Sequence, residues 1–232
     1  MPTISSPMRR LALGALMLAS CSAFAFSLSD ISNQDATSGL KAALEKGANS
    51  AVSKLGQQNG FLNNDKVKIK LPGALEQAMP IIRMTGQGDK VDALVVDMNH
   101  AAESAVPMAK PLLVNAVKSM SVSDAKNILS GGDTSVTDFF RQKTSGDLAA
   151  KFLPIVKQIT DKNGLSARYN ATMGQVAKTG LVSGDQSTVE GYVTQRALDG
   201  LFLMIGEEEK AIRKDPVGSG SAIIGKVFGA MK

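Results

Sequence analysis

The chain has 232 residues, with 26 lysines and arginines against 21 acidic residues, and 44% of its residues are hydrophobic. This hydrophobic share excludes a disordered chain, and the length predicts one domain or two small ones. One histidine, one cysteine and 4% aromatic residues exclude a His- or Cys-rich metal site and an internal disulfide framework, and they argue against sugar clefts and base-stacking platforms.

The N-terminal residues predict an export signal. Two arginines precede a short apolar run at residues 11–18 (LALGALML). A transmembrane helix needs about 20 apolar residues, so this run is typical of a signal peptide and not of an anchor.

Two processing sites compete after this run. Ala23-Phe24-Ala25 is an A-x-A cleavage site, which would remove residues 1–25. The segment 18–21 (LASC) instead matches the lipobox of bacterial lipoproteins, which would remove residues 1–20 and leave Cys21 as a lipidated first residue. Both alternatives stay open, and the mature chain is expected to form one domain over residues 27–232.

Helical periodicity dominates that mature part. The exception is the segment 67–71, whose alternating pattern without a partner strand predicts an extended connector ending at Pro72. Pro107 and Pro111 predict a kink or a break near residues 103–111. We expect an all-α domain of about eight helices, over residues 40–55, 73–84, 89–120 (with that break), 121–129, a helix opening at 134 or 135, 148–160, 165–178, 188–214 and a short segment at 223–228.

Two fragments resemble enzyme motifs without completing them. The segment 220–226 (GSAIIGK) nearly matches a phosphate-binding P-loop, but Val227 replaces the Ser or Thr that contacts magnesium. The segments 123–126 (SDAK) and 178–180 (KTG) resemble β-lactamase motifs, but no sheet is predicted to carry them. We therefore predict no catalytic residues from motifs.

Three polar residues are spaced at i, i+3 and i+6 on the long predicted helix: Asp97, His100 and Glu103. Asp97 and His100 could share a metal ion, with Glu103 at the edge of that face. A solvated polar face explains the same spacing without a metal. We favour the solvated face and predict no metal site and no cofactor.

The segment 197–206 (ALDGLFLMIG) is apolar nearly all round and predicts a central, buried helix. Its one charge is Asp199, and a buried carboxylate must be paired, hydrogen-bonded or protonated. Glu208 continues the apolar stripe and is expected to be partly buried. Candidate partners are Arg141, Arg196 and Arg213.

The same reasoning gives a candidate buried polar or ligand cluster. Its members are Asp133, Thr134, Asp199, Glu208 and Arg213. Two interpretations stay open: a salt-bridge or capping network that fixes helix register, or a ligand site with perturbed carboxylates.

Several blocks of the chain resemble the bacterial domain-of-unknown-function family 4197, over about residues 27–230. The resemblance implies an exported helical protein of Gram-negative bacteria, and it supplies no catalytic residues. The blocks are 60–64 (GFLNN), 98–99 (MN) with 101–103 (AAE), 131–134 (GGDT), 151–157 (KFLPIVK) and 192–216 (YVTQRALDGLFLMIGEEE and the residues to Pro216), whereas His100 departs from the family pattern.

These observations predict a periplasmic protein, soluble or lipid-anchored, that binds a partner protein or an apolar, lipidic ligand without catalysis. Interspersed charges argue against nucleic acid as a partner. One alternative is an acid–base hydrolase that uses Asp199, Glu208 or Asp133. A structural or assembly role in the envelope is the other.

Overall fold

The computed structural model describes residues 33–84, 86, 88–132, 134–162, 164, 166–167, 169 and 188–229. Every regular element in this part is a helix, which confirms the all-α prediction. The α-helices are α1 (Asn33–Leu55), α2 (Gly73–Met84), α3 (Gly88–Ala105), α4 (Ala109–Lys118), α5 (Val122–Ser130), α6 (Ser135–Lys162), α7 (Val189–Lys214) and α8 (Ala222–Gly229).

Helix α7 forms the centre of the packing, against α6, α1 and α3. Residues 197–206 were predicted to be this central helix, and most of their side chains are buried. Leu201 and Phe202 have no exposed surface. Burying such a side chain contributes about 1.5–3 kcal/mol, so α7 supplies a large share of the core. One strip of α7 still reaches the surface, because 42% of Leu203 is exposed.

Proline placement explains the break that separates α3 from α4. Helix α3 ends at Ala105, a single 3-10 turn spans Val106–Met108, and α4 begins at Ala109. Pro107 has no backbone N–H and its ring crowds the carbonyl one turn back, which favours a break in the helix at this point. The break predicted near residues 103–111 is confirmed.

Local capping signals set the start of α5. Ser121 accepts a hydrogen bond from the backbone N–H of Asp124 at 3.0 Å, and the Asp124 carboxylate accepts one from the Ser121 N–H at 3.0 Å. The Ser121 N–H and the Ser121 hydroxyl, which donates to the same carboxylate at 2.8 Å, stabilise its ionised form and hold the pKa of Asp124 below its ordinary value of 3.8. The arrangement is a capping box with aspartate in the place of glutamate.

One predicted helix start is wrong. Thr144 and Asp147 resemble a capping box before residue 148, but α6 runs through them without interruption. The hydroxyl of Thr144 donates to the Phe140 carbonyl at 2.6 Å, inside the helix. Packing decides the outcome, because one apolar stripe continues on both sides of the supposed start: Val136, Phe140, Leu148, Phe152 and Val156.

Some predictions fall outside the described residues. They are the signal peptide at 1–25 or 1–20, the lipidation of Cys21, and most of the helix predicted at 165–178. The count of about eight helices stays a prediction for the same reason. Of the helices in the described part, none combines the length and the apolar character that crossing a membrane requires.

Candidate functional site

Residues 56–72 connect α1 to α2 without regular secondary structure, and we call them the α1–α2 loop. The loop is anchored by Phe61, which is fully buried. Gly200 on α7 leaves space for this ring, because a Cβ there would lie 2.8 Å from Phe61 Cε1. Gly60 lets the chain turn back onto the end of α1, since a Cβ at that position would lie 2.4 Å from the Lys54 carbonyl oxygen.

Glu103 on α3 holds the first half of this loop. The backbone N–H groups of Phe61 and Leu62 donate to its Oε1 at 3.0 and 3.1 Å, and the N–H of Asn59 donates to Oε2 at 3.0 Å. The residue is 5% exposed. A buried carboxylate costs free energy unless it is hydrogen-bonded, and these three charge-assisted bonds offset that cost.

Asn99, one turn earlier on α3, holds the second half. Its Oδ1 accepts from the Ile69 N–H at 2.8 Å, and its Nδ2 donates to the Ile69 carbonyl at 2.9 Å and to the Val95 carbonyl at 2.7 Å. The fully buried amide thus pairs with Ile69 as a neighbouring strand would. The extended segment predicted at residues 67–71 therefore has a side chain, and not a strand, as its partner.

Tyr192 on α7 fixes the end of the loop. Its hydroxyl donates to the Lys70 carbonyl at 2.9 Å. Burial raises the pKa of Tyr192, and the nearby Arg196 opposes this shift. The phenol consequently stays protonated near neutral pH and keeps its donor for Lys70.

His100 lies beside the loop, facing an open groove of about 330 Å³. Its Nε2 is 3.2 Å from Asn59 Oδ1 and 3.9 Å from Glu103 Oε2. In the described residues, no group of three His, Cys, Asp or Glu side chains is placed to hold a metal ion. The prediction that Glu103 belongs to a solvated face is wrong, because this carboxylate is buried under the loop.

Asp199 is paired as its sequence context requires, but it is not buried: 32% of its side chain is exposed. That predicted burial is wrong because this strip of α7 faces outward beside Leu203. Oδ1 lies 3.1 Å from Arg141 Nη1, and Oδ2 lies 3.3 Å from Arg196 Nη2. Two of the three predicted arginine partners therefore contact this carboxylate.

The other predicted cluster members lie elsewhere. Glu208 is nine residues further along α7, about 13 Å along the helix axis, and it pairs with Lys54 on α1. Arg213 pairs with the buried Glu209 and donates to the Ile128 carbonyl of α5 at 3.2 Å. Thr134 is exposed immediately before α6, and Asp133 lies outside the described residues. The structure therefore does not join the described members into one site.

The sequence patterns did not point to Asn99 or Glu209, and they placed Glu103 on a solvated face, although the structure makes all three residues central. Asn99 and Glu103 lie on a helix whose buried surface extends well beyond the predicted apolar stripe. Both also lie in the matching residues 98–99 (MN) and 101–103 (AAE), and their partners Phe61 and Ile69 lie in or near the block 60–64 (GFLNN). The shared motif blocks were thus the available signal for this site.

Comparison with known proteins matches this chain to a family. The family model described as "Protein of unknown function (DUF4197)" matches residues 30–229, and the chain belongs to that family. This confirms the resemblance inferred from the sequence blocks. No curated protein and no solved structure matches the chain.

Proposed function

We propose that this chain is an exported cell-envelope protein whose helical domain binds a partner protein without catalysing a reaction. This proposal rests on one observation: the buried carboxylate of Glu103 serves as a hydrogen-bond acceptor for the α1–α2 loop. Three of the acceptor positions on this buried carboxylate are taken by backbone N–H groups of the α1–α2 loop. A carboxylate committed in this way holds a surface loop in place and is poorly suited to moving protons.

The loop itself has the character of a binding element. Gln57, Gln58 and Asn63 are exposed, while Phe61 and Ile69 anchor the backbone beneath them. Binding residues commonly lie on loops that a rigid scaffold positions, because a fixed backbone loses less conformational entropy on association. Asn99, Glu103 and Tyr192 supply that rigidity here.

Export is supported by the N-terminal pattern of two arginines, a short apolar run and two alternative processing sites. The intact mass of the mature protein from a Gram-negative host would test it. A chain beginning at Phe26, or a chain beginning at a diacylated or triacylated Cys21, would support export. An unprocessed chain in the cytoplasm would contradict it.

The binding proposal is tested by photocrosslinking in living cells. A benzophenone amino acid is placed at Gln57 in the loop, and, as a control, at the exposed Lys126 on α5. We expect one defined protein adduct from position 57 and none from position 126. No adduct from position 57, adducts to lipid alone, or the same adducts from both positions would contradict the proposal.

A further inference from the structure

A single carboxylate is shared by two arginines on the outer face of α6 and α7. Arg141 from α6 and Arg196 from α7 contact opposite oxygens of Asp199, and Gln195 Nε2 donates to Oδ1 at 3.3 Å. The two arginine side chains are 46% and 41% exposed. A guanidinium carries five N–H donors, so one carboxylate leaves donors on both groups for a second anion.

Both guanidinium groups are held in position by aromatic rings. Arg141 Cζ lies 5.0 Å from the centroid of the Phe202 ring, and Arg196 Cζ lies 5.7 Å from that of Tyr192. The Nε of Arg196 is buried and has no hydrogen-bond partner among the described residues, so a second anion would bind this side chain through its Nη groups. Positioned arginines with spare donors lose less entropy when they bind an anion.

The surroundings add positive charge. Lys66 and Lys68 of the α1–α2 loop line the same groove as Arg196 and Asp199. Lys66 is paired with Glu207, whereas Lys68 makes no ion pair within the described part of the chain. The groove is thus lined by three cationic side chains and one carboxylate. Arg141, which pairs with Asp199, and Glu207, which pairs with Lys66, lie beside it, so the excess remains two positive charges.

An apolar strip runs through this charged groove. The groove has a volume of about 180 Å³, and the apolar part of its lining includes Val67, Ile69 and the half-exposed Leu203. Leu203 follows Asp199 by one turn on α7, so it lies on the same side of the helix. We call the surface formed by Arg141, Arg196, Lys66, Lys68 and Leu203 the α6–α7 basic face.

From this geometry we infer that the α6–α7 basic face binds an acidic segment of the partner protein that carries leucine-like side chains between its carboxylates. The inference rests on the proposed binding function. Planar guanidinium groups bind carboxylates with two parallel hydrogen bonds, and Asp199 shows that a carboxylate fits between this pair. The small apolar groove suits a side chain of a peptide better than it suits a broad lipid surface.

The test uses fluorescence anisotropy with two labelled peptides on the full mature chain. One peptide alternates glutamate and leucine over eight residues, and its control replaces every glutamate by glutamine. We expect the acidic peptide to bind about tenfold more tightly, with an affinity that falls as salt rises. The double variant Arg141→Gln/Arg196→Gln should bind the acidic peptide about tenfold more weakly. Arg83→Gln, which alters a similarly exposed arginine on α2, should leave that affinity unchanged.

A second variant separates binding from folding. Asp199→Asn removes the carboxylate that competes for both guanidinium groups, so the acidic peptide should bind several-fold more tightly than to the unaltered chain. A folding defect cannot produce that gain. An unchanged or weakened affinity in Asp199→Asn would overturn the inference even if the double arginine variant fails to fold.

Other outcomes would overturn the inference as well. These are equal affinity for the two peptides, or arginine-dependent binding to vesicles of phosphatidylglycerol and phosphatidylethanolamine without peptide binding. If the peptides fail while the defined crosslink from Gln57 persists, the acidic partner is refuted and the binding function stands. If both fail, the binding function is refuted too.

Discussion

The carboxylate of Glu103 on α3 accepts the backbone N–H of Phe61 at 3.0 Å, and the ring of Phe61 fills the space that Gly200 leaves on α7. Polar and apolar contacts thus fix the same residue from two helices. The α1–α2 loop therefore has one conformation dictated by the core, although it contains no regular secondary structure.

Glu103→Gln should destabilise the fold by about 2–3 kcal/mol. The amide keeps one acceptor oxygen, but it places an NH₂ group against backbone donors that then lose their partner. Urea unfolding followed by circular dichroism measures the change. Asp65→Asn, which removes an exposed carboxylate in the same loop, should stay within about 0.5 kcal/mol. Equal effects of the two substitutions would contradict the role given to Glu103.

Asn99→Ala should cost about 2–4 kcal/mol, because it leaves the buried N–H and carbonyl groups of Ile69 without partners. Asn99→Asp should be no better, since a carboxylate cannot donate to the Ile69 and Val95 carbonyls. The midpoint of urea unfolding reports both effects. The matched control is Asn115→Ala on the exposed face of α4, which should be nearly neutral. A stable Asn99→Asp variant would refute the proposed amide pairing.

Two glycine-to-alanine substitutions inside helices should have opposite signs. Gly200→Ala would place a Cβ 2.8 Å from the Phe61 ring and 3.2 Å from Val67 Cβ, and it should destabilise by about 1–3 kcal/mol. Gly146→Ala on α6 meets nothing within 4 Å and should stabilise by about 0.5–1 kcal/mol, because alanine favours a helix. Thermal unfolding of both variants provides the comparison. A stabilising Gly200→Ala would show that Phe61 is not held against α7.

The capping box of α5 should make a pH-dependent contribution to the free energy of unfolding. The pKa of Asp124 is lower in the folded chain than its ordinary value of 3.8. The ionised carboxylate therefore contributes fully to the free energy of unfolding above pH 3.8, and this contribution is lost as the pH falls through the folded pKa. Asp124→Asn should therefore cost about 1 kcal/mol at pH 7 and progressively less below pH 3.8.

Unfolding of the wild type and of Asp124→Asn at several pH values measures this difference. Ser121→Ala removes the other half of the capping box, so the double variant should cost less than the two single variants together. A difference between wild type and Asp124→Asn that does not change with pH would contradict the assignment.

Much of the fold follows from local sequence. The helix predicted at residues 73–84 has the bounds Gly73–Met84, the break near Pro107 occurs, and Thr188 caps α7 at the predicted start. These features depend on periodicity, proline geometry and side-chain caps, which act over a few residues. The helix start predicted at residue 148, after the capping pattern at Thr144, is wrong because packing along a continuous apolar stripe outweighs a local capping signal.

The candidate site was less predictable, because its bonds join residues distant in sequence. Glu103 accepts a hydrogen bond from the N–H of Phe61, which lies 42 positions earlier in the sequence, and Asn99 accepts one from the N–H of Ile69, which lies 30 positions earlier. Helical spacing alone assigns Glu103 to a polar face, since periodicity does not show that a loop covers that face. The pairing of Asp199 with arginines could be argued from charge, whereas its partial exposure depends on how α6 and α7 pack.

Amide hydrogen exchange shows whether the carboxylate of Glu103 holds the α1–α2 loop in place. In the unaltered chain, the N–H groups of Phe61 and Leu62 should exchange as slowly as those of the helical core. In Glu103→Gln they should exchange at least about tenfold faster, while the amides of α7 keep their protection once overall stability is taken into account. Unchanged protection of Phe61 and Leu62 in Glu103→Gln would show that Glu103 does not hold the loop.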